Sequence, residues 1–123
     1  MQRIIISAIL IFFPLKAFSQ EVMSFRYADS LTYKLYDQKN WNELINTGKQ
    51  AIIDGHDYYY MRMRMGIAYY ERHNYAQSAK HFSRALDFNA DDKTALEYLF
   101  YSYYLSGRYF QAWTVISGMN SSD

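Results

Sequence analysis

No cysteine occurs among the 123 residues, and the only proline is Pro14. The absence of cysteine excludes a disulfide framework, a thiolate zinc site, a thiol nucleophile and a lipid-bearing cysteine behind a signal sequence. Glycine is equally sparse: the five are scattered one at a time, so no phosphate-cradling loop can be built from them. Charge of one sign is also missing. Thirteen Lys and Arg stand against twelve Asp and Glu, which leaves no basic excess to neutralise nucleic-acid phosphates and no acidic tail. The length limits the chain to one small domain. What is present in excess is aromatic: fourteen tyrosines, eight phenylalanines and two tryptophans.

Part of the apolar content lies in one N-terminal run. Arg3 gives the start a positive charge, Ile4 to Phe13 are apolar except for Ser7, and the small-residue step Ala17-Phe18-Ser19 follows. This pattern predicts a secretory signal peptide over residues 1–19, cut after Ser19 to leave a mature chain from Gln20. A spanning helix needs about twenty apolar residues, and Pro14 and Lys16 interrupt the run too early for one. The alternative is an uncleaved anchor. Removal of Arg3 and Lys16 leaves a mature chain close to neutral, expected in the periplasm or cell envelope.

A period of 34 residues runs through the remainder. Trp41, Tyr75 and Tyr109 keep that spacing, as do Leu31, Met65 and Leu99, then Leu35, Tyr69 and Tyr103, then Tyr36, Tyr70 and Tyr104. Within a period the apolar spacing is helical. Met61, Met65, Ala68 and Tyr69 share one face of a helix over Tyr58 to Arg72, with Met63 and Arg64 turned to the other side. Ala79, Phe82, Ala85 and Leu86 do the same over Tyr75 to Phe88, leaving Gln77, Lys80, Arg84 and Asp87 to solvent. Asp91 and Asp92 stand where a side-chain oxygen can cap a helix over Lys93 to Leu105. Arg72-His73-Asn74 and Ser106-Gly107-Arg108 read as turns inside a pair, with Asn74 and Gly107 able to take the left-handed conformation that ends a helix; Gly55 does so after the second helix. Alternation of period two is never sustained, which excludes strands.

The middle period, with Met65-Gly66, Tyr69, Tyr75, Ser78, Phe82, Ala85 and Leu86, resembles the tetratricopeptide repeat. The third matches through Leu96, Leu99, Tyr103, Tyr109, Ala112 and Ile116 but has Phe100 for the family's glycine. The first keeps Leu31, Leu35, Trp41 and Ala51 but has Thr32 for glycine, Leu44 for a small residue and Gly48 for the second aromatic. The resemblance implies an all-α solenoid of about three antiparallel helix hairpins, with repeats at 25–57, 58–91 and 92–119 of a domain over 20–123. Gly66 is then expected to let the two middle helices approach closely. The last helix, with Phe110, Trp113, Val115 and Ile116, is expected to lack a polar cap, so that either a continuing chain or another surface covers it.

Candidate chemistry is thin. His56, His73 and His81 are not paired with ligands at helical spacing, so no metal site is expected; nor is a cofactor or a nucleophilic triad. The chain reads as non-enzymatic. In the resembled family the first helix of each pair lines a concave groove, which implies a partner surface of Tyr33, Tyr36, Tyr60, Met63, Arg64, Ile67, Tyr70, Glu97, Tyr101 and Tyr104, with Arg26, Asp29 and Thr94 at further groove positions. Tyrosine joins a broad apolar body to a hydroxyl at low entropy cost. The alternative use of these rings is packing between successive first helices. The positions that clamp a chaperone's terminal carboxylate in one branch of that family are Asp29, Tyr33, Arg64, Thr94 and Tyr98 here, and only Arg64 could hold a carboxylate. The expected partner is therefore some other protein or peptide, with membrane proteins of the envelope among the candidates and no nucleic acid. A spacer that self-associates through the uncapped last helix is the second expectation.

Overall fold

A computed structural model describes residues 21–121, so the signal peptide expected over 1–19 lies outside the described residues. Six helices follow in order: α1 (Phe25–Asp37), α2 (Trp41–Ile53), α3 (Tyr59–Glu71), α4 (Tyr75–Phe88), α5 (Lys93–Leu105) and α6 (Tyr109–Ser121). The first helices of the pairs begin at residues 25, 59 and 93 and the second at 41, 75 and 109, so the sequence period is also the period of the backbone. No strand forms among the described residues, and no helix there is long and apolar enough to cross a membrane.

Side chains start several of these helices. Ser24 accepts from the Tyr27 amide at 3.2 Å, Asn74 from Gln77 at 3.4 Å and Asp92 from Ala95 at 2.7 Å, each satisfying an amide with no intrahelical partner. The first helices end by one repeated device. Lys39, His73 and Gly107, again 34 apart, take φ of 55°, 57° and 76°. The next amide then bonds back into the helix: Asn40 to the Leu35 carbonyl at 2.9 Å, Asn74 to Tyr69 at 2.9 Å, and Arg108 to Tyr103 at 2.8 Å. Position 73, not the expected Asn74, is therefore left-handed, because Asn74 is used as the cap of α4. Lysine at position 39 carries a strain glycine avoids. Lys39→Gly is expected to stabilise the protein by about 0.5 kcal/mol, the relieved strain outweighing the backbone freedom of glycine; a lowered thermal midpoint would contradict this.

The core forms two clusters that share α3. Leu35, Leu44, Ile45, Met61, Met65, Ala68 and Tyr69 close the first between α1, α2 and α3. Met63, Phe82, Ala85, Ala95 and Leu99 close the second between α3, α4 and α5. Met61 and Met65 face inward as their spacing predicts. Met63, expected to turn away from the core, is buried in the second cluster, because a central helix is covered on two sides and has two apolar faces.

Small residues set how closely the helices approach. A Cβ on Gly66 would lie 2.8 Å from Phe82 Cε1, which confirms the close approach of α3 and α4 expected at that glycine. In the first pair Gly48 occupies the place of Phe82, and the side chain of Met65 fills the space a larger residue there would take. The third pair is different again. Ala112 is the only buried residue of α6, while Phe110 is 80% and Trp113 66% exposed.

Candidate functional site

Two hollows lie between the first helices of successive pairs. One, of about 250 Å³ between α1 and α3, is lined by Tyr33, Tyr36, Tyr60, Met63, Arg64 and Ile67. The other, of about 350 Å³ between α3 and α5, is lined by Tyr70, Glu97, Tyr98 and Tyr101. They are the same place one period apart: Tyr70, Glu97, Tyr98 and Tyr101 follow Tyr36, Met63, Arg64 and Ile67 by 34 residues each. A third hollow, of about 290 Å³, adjoins both near the turns and is walled by Tyr36, Asp37, Lys39, Trp41, Ile67, Glu71 and Tyr98. Nine of the ten residues expected from the sequence therefore line the first two hollows, and Tyr104 lines neither.

The tyrosine column beside these hollows has a packing job. Tyr36 meets Trp41 edge-on at 5.9 Å, Tyr70 meets Tyr75 at 5.3 Å and Tyr104 meets Tyr109 at 5.3 Å. Each ring thus braces the aromatic that opens the second helix of its own hairpin, and Tyr70 in addition meets the next first helix. Tyr104 also stacks on Phe100 at 6.0 Å. Tyr70 touches Tyr98 at 5.2 Å, and Tyr98 stacks on buried Phe82 at 4.8 Å. Tyr33, Tyr60 and Tyr101 are 60%, 63% and 44% exposed, and Tyr104 is 51% exposed.

Arg64 is not a free cation. Its Nη1 donates to Asp29 Oδ1 at 2.7 Å and to Thr32 Oγ1 at 3.1 Å, and the guanidinium lies 5.6 Å from the Tyr33 ring and 5.9 Å from the Tyr60 ring. Tyr58 donates its hydroxyl to the same Asp29 oxygen at 2.6 Å. Hydrogen bonds from Tyr58 and then Arg64 hold the Asp29 carboxyl below the usual carboxylate range. Burial, then the Asp29 bond, pushes the Tyr58 hydroxyl up to about 12. The one cation that could have clamped a partner's carboxylate thus already holds a carboxylate of its own chain.

The second hollow has the opposite character. Glu97 and the neighbouring Glu71 are exposed, and neither belongs to an ion pair among the described residues. Burial, then Tyr36, Glu71 and Glu97, raises the Tyr98 hydroxyl above its ordinary value. Tyr98 is the lining residue that the sequence reading placed only among the unsuitable clamp positions, and its signal was present: it is the 34-residue successor of Arg64.

A separate polar cluster lies on α3 and α4. Arg62 grips Asp57 through Nε at 2.6 Å and Nη2 at 2.9 Å and donates Nη1 to His81 Nδ1 at 3.1 Å. His81 is buried and stacks on Tyr69 at 5.3 Å. Each nitrogen of the Arg62 guanidinium thus has a partner in the fold, and among the described residues no group of three or more His, Asp or Glu is placed to hold a metal ion.

The chain is similar in structure to MamA. An Arg-to-Glu mutant of MamA superposes with a TM-score of 0.71 at 16% identity, over 80% of this chain and 72% of that one. An Asp-to-Lys mutant of MamA gives 0.72 at 16% identity over 81% of this chain, and a MamA structure from MSR-1 gives 0.69 at 15% identity over 80%. The fold is a tetratricopeptide-like helical solenoid. This chain spans 58% and 56% of the length of the last two, and at such identities the likeness concerns the fold alone. No protein-family profile and no curated protein sequence matches the chain.

Proposed function

We propose that the solenoid is a non-enzymatic interaction module of the tetratricopeptide type, exported to the cell envelope, which holds a segment of a protein partner along the tyrosine-lined face of α1, α3 and α5. The observation that carries this reading is the exposure of Tyr33, Tyr60 and Tyr101 at the rims of the two hollows. Rings that exposed add little to the core, whereas broad amphipathic rings at a rim suit a partner surface. Tyr33→Ala with Tyr101→Ala is expected to leave helical content and thermal midpoint nearly unchanged and to abolish retention of the partner on the immobilised protein. Retention at the original level would refute the groove. Export has its own check, a mature N-terminus at Gln20.

A second reading, self-association through α6, is favoured by the exposed side chains of Phe110 and Trp113. Equilibrium sedimentation decides it: a monomer throughout the micromolar range excludes it.

A further inference from the structure

The geometry points to the hollow between α3 and α5 as a receptor for a cationic side chain, arginine or lysine, of the partner segment. This inference rests on the proposed partner-holding face and specifies the chemistry at one end of it.

The chain supplies its own template for such a site. One period earlier, a guanidinium sits among tyrosine rings with a carboxylate at hydrogen-bond distance: Arg64 lies beside the rings of Tyr33 and Tyr60 and bonds Asp29 at 2.7 Å. In the next period the position of Arg64 is occupied by Tyr98, that of Met63 by Glu97 and that of Ile67 by Tyr101. The cation is lost and a carboxylate enters the lining, while Tyr98 and Tyr101 take over as rings from Tyr33 and Tyr60, whose own successors are Ile67 and Thr94. The resulting hollow has Tyr70, Tyr98 and Tyr101 for walls and Glu97 at its edge, and no cation lines it. Glu71 stands with Asp37 and a single cation, Lys39, in the adjoining hollow, which shares Tyr98 as a wall. Aromatic faces attract a cation through their quadrupole, and an unpaired carboxylate beside them adds direct attraction. An acidic or purely aliphatic side chain would gain neither. At about 350 Å³ the space exceeds a guanidinium and admits the aliphatic stem of arginine or lysine along the rings.

The walls are fixed before a ligand arrives. Tyr98 is stacked on buried Phe82, and Tyr70 is held edge-on by both Tyr75 and Tyr98. Little ordering entropy is therefore spent on binding, and Tyr101, edge-on to Phe100 at 5.1 Å, is the most exposed of the three rings.

The test is a titration of the isotopically labelled full chain, followed by amide chemical shifts, with blocked pentapeptides Gly-Ser-Xaa-Ser-Gly in which Xaa is arginine, lysine, citrulline or glutamate. The arginine and lysine peptides are expected to shift the amides around Glu97, Tyr98 and Tyr101 and to bind at least about tenfold more tightly than the citrulline peptide, with affinity falling as salt is raised. Glu97→Gln, an exposed isosteric change that leaves the fold alone, is expected to weaken arginine binding about fivefold. Glu43→Gln, the same change at an exposed position of α2 outside both hollows, should leave it unchanged. Equal binding of arginine and citrulline, preference for glutamate, no shifts with any peptide, or an unaltered Glu97→Gln would each overturn the inference. Tighter binding of free putrescine than of either cationic peptide would overturn it in favour of a small diamine. The partner-retention experiment with Tyr33→Ala and Tyr101→Ala is judged separately: a groove that retains its partner through those rings yet shows no cation preference keeps the broader reading and loses this one.

Discussion

Gly66→Ala is expected to lower the stability of the protein by about 2 kcal/mol, although alanine is the better helix former by about 1 kcal/mol. The added methyl would stand 2.8 Å from Cε1, 2.9 Å from Cζ and 3.0 Å from Cδ1 of Phe82. That ring is fully buried and stacked on Tyr98, so it cannot swing aside without opening the second core cluster. Overpacking of this kind outweighs the helix-propensity gain. The converse change, Phe82→Ala, is expected to cost about 4 kcal/mol, since it leaves a ring-sized void beside Gly66 that α4 cannot close. That is a large share of the total for a small domain, which is about 5–15 kcal/mol. Urea denaturation of Gly66→Ala, Phe82→Leu and the double variant completes the argument: the double variant should be more stable than the sum of the two single losses predicts. Strict additivity would mean that the glycine and the ring do not limit each other. Phe82→Ala should also impair the hollow between α3 and α5, because Tyr98 loses the surface it rests on.

Acidification from pH 6.5 to about pH 4 is expected to remove about 3 kcal/mol of stability through His81 alone. Burial, then the neighbouring Arg62 and Lys80 charges, lowers its folded value to about 4. The Arg62 Nη1 donor that faces Nδ1 requires that nitrogen to accept, so the folded protein holds the neutral ring. An unfolded chain binds a proton at His81 below about pH 6.5, whereas the folded chain does not until about pH 4. The stabilising contribution is thus complete above 6.5 and drains away across that window. Asp29 and Asp57 act lower on the scale. Their folded carboxyls are held below the usual carboxylate range, so their contributions are complete above that range and are lost as the pH falls through it. His81→Gln is expected to flatten the slope between pH 6.5 and 4 while lowering stability at pH 7. An unchanged slope in thermal or urea midpoints measured across that window would show that His81 is not the group responsible.

Much of the architecture was legible in the residues. The helices over Tyr75 to Phe88 and Lys93 to Leu105 fall where the apolar spacing and caps put them, and the 34-residue columns of Trp41, Tyr75 and Tyr109 open the second helices. Short-range chemistry suffices for these features, since a cap or an apolar stripe acts within a turn or two of its own helix. The hollows were legible in part, because one period applied to three first helices places their residues at equivalent heights. Met63 was misread because periodicity on a single helix reports one apolar face and cannot say that a second neighbour covers the other. The left-handed position was misread because Asn74 was already committed as a cap, which left His73 to make the turn.

The sequence by itself determined the repeat, the hairpins, the close approach at Gly66 and the tyrosine-rich character of one face, since each follows from spacing along the chain or from the size of one residue. Only the tertiary structure decided which charges are spent and which rings are exposed. Arg64 is neutralised by Asp29 from 35 residues away, and His81 is held neutral by Arg62 from the preceding helix. Tyr36 and Tyr70 are half-buried against their own hairpins, while Tyr33, Tyr60, Tyr101 and Tyr104 stay open to solvent. Such pairings depend on the distance between side chains of different helices, and a repeat period fixes the order of helices without fixing which of two equivalent positions finds its partner within the fold.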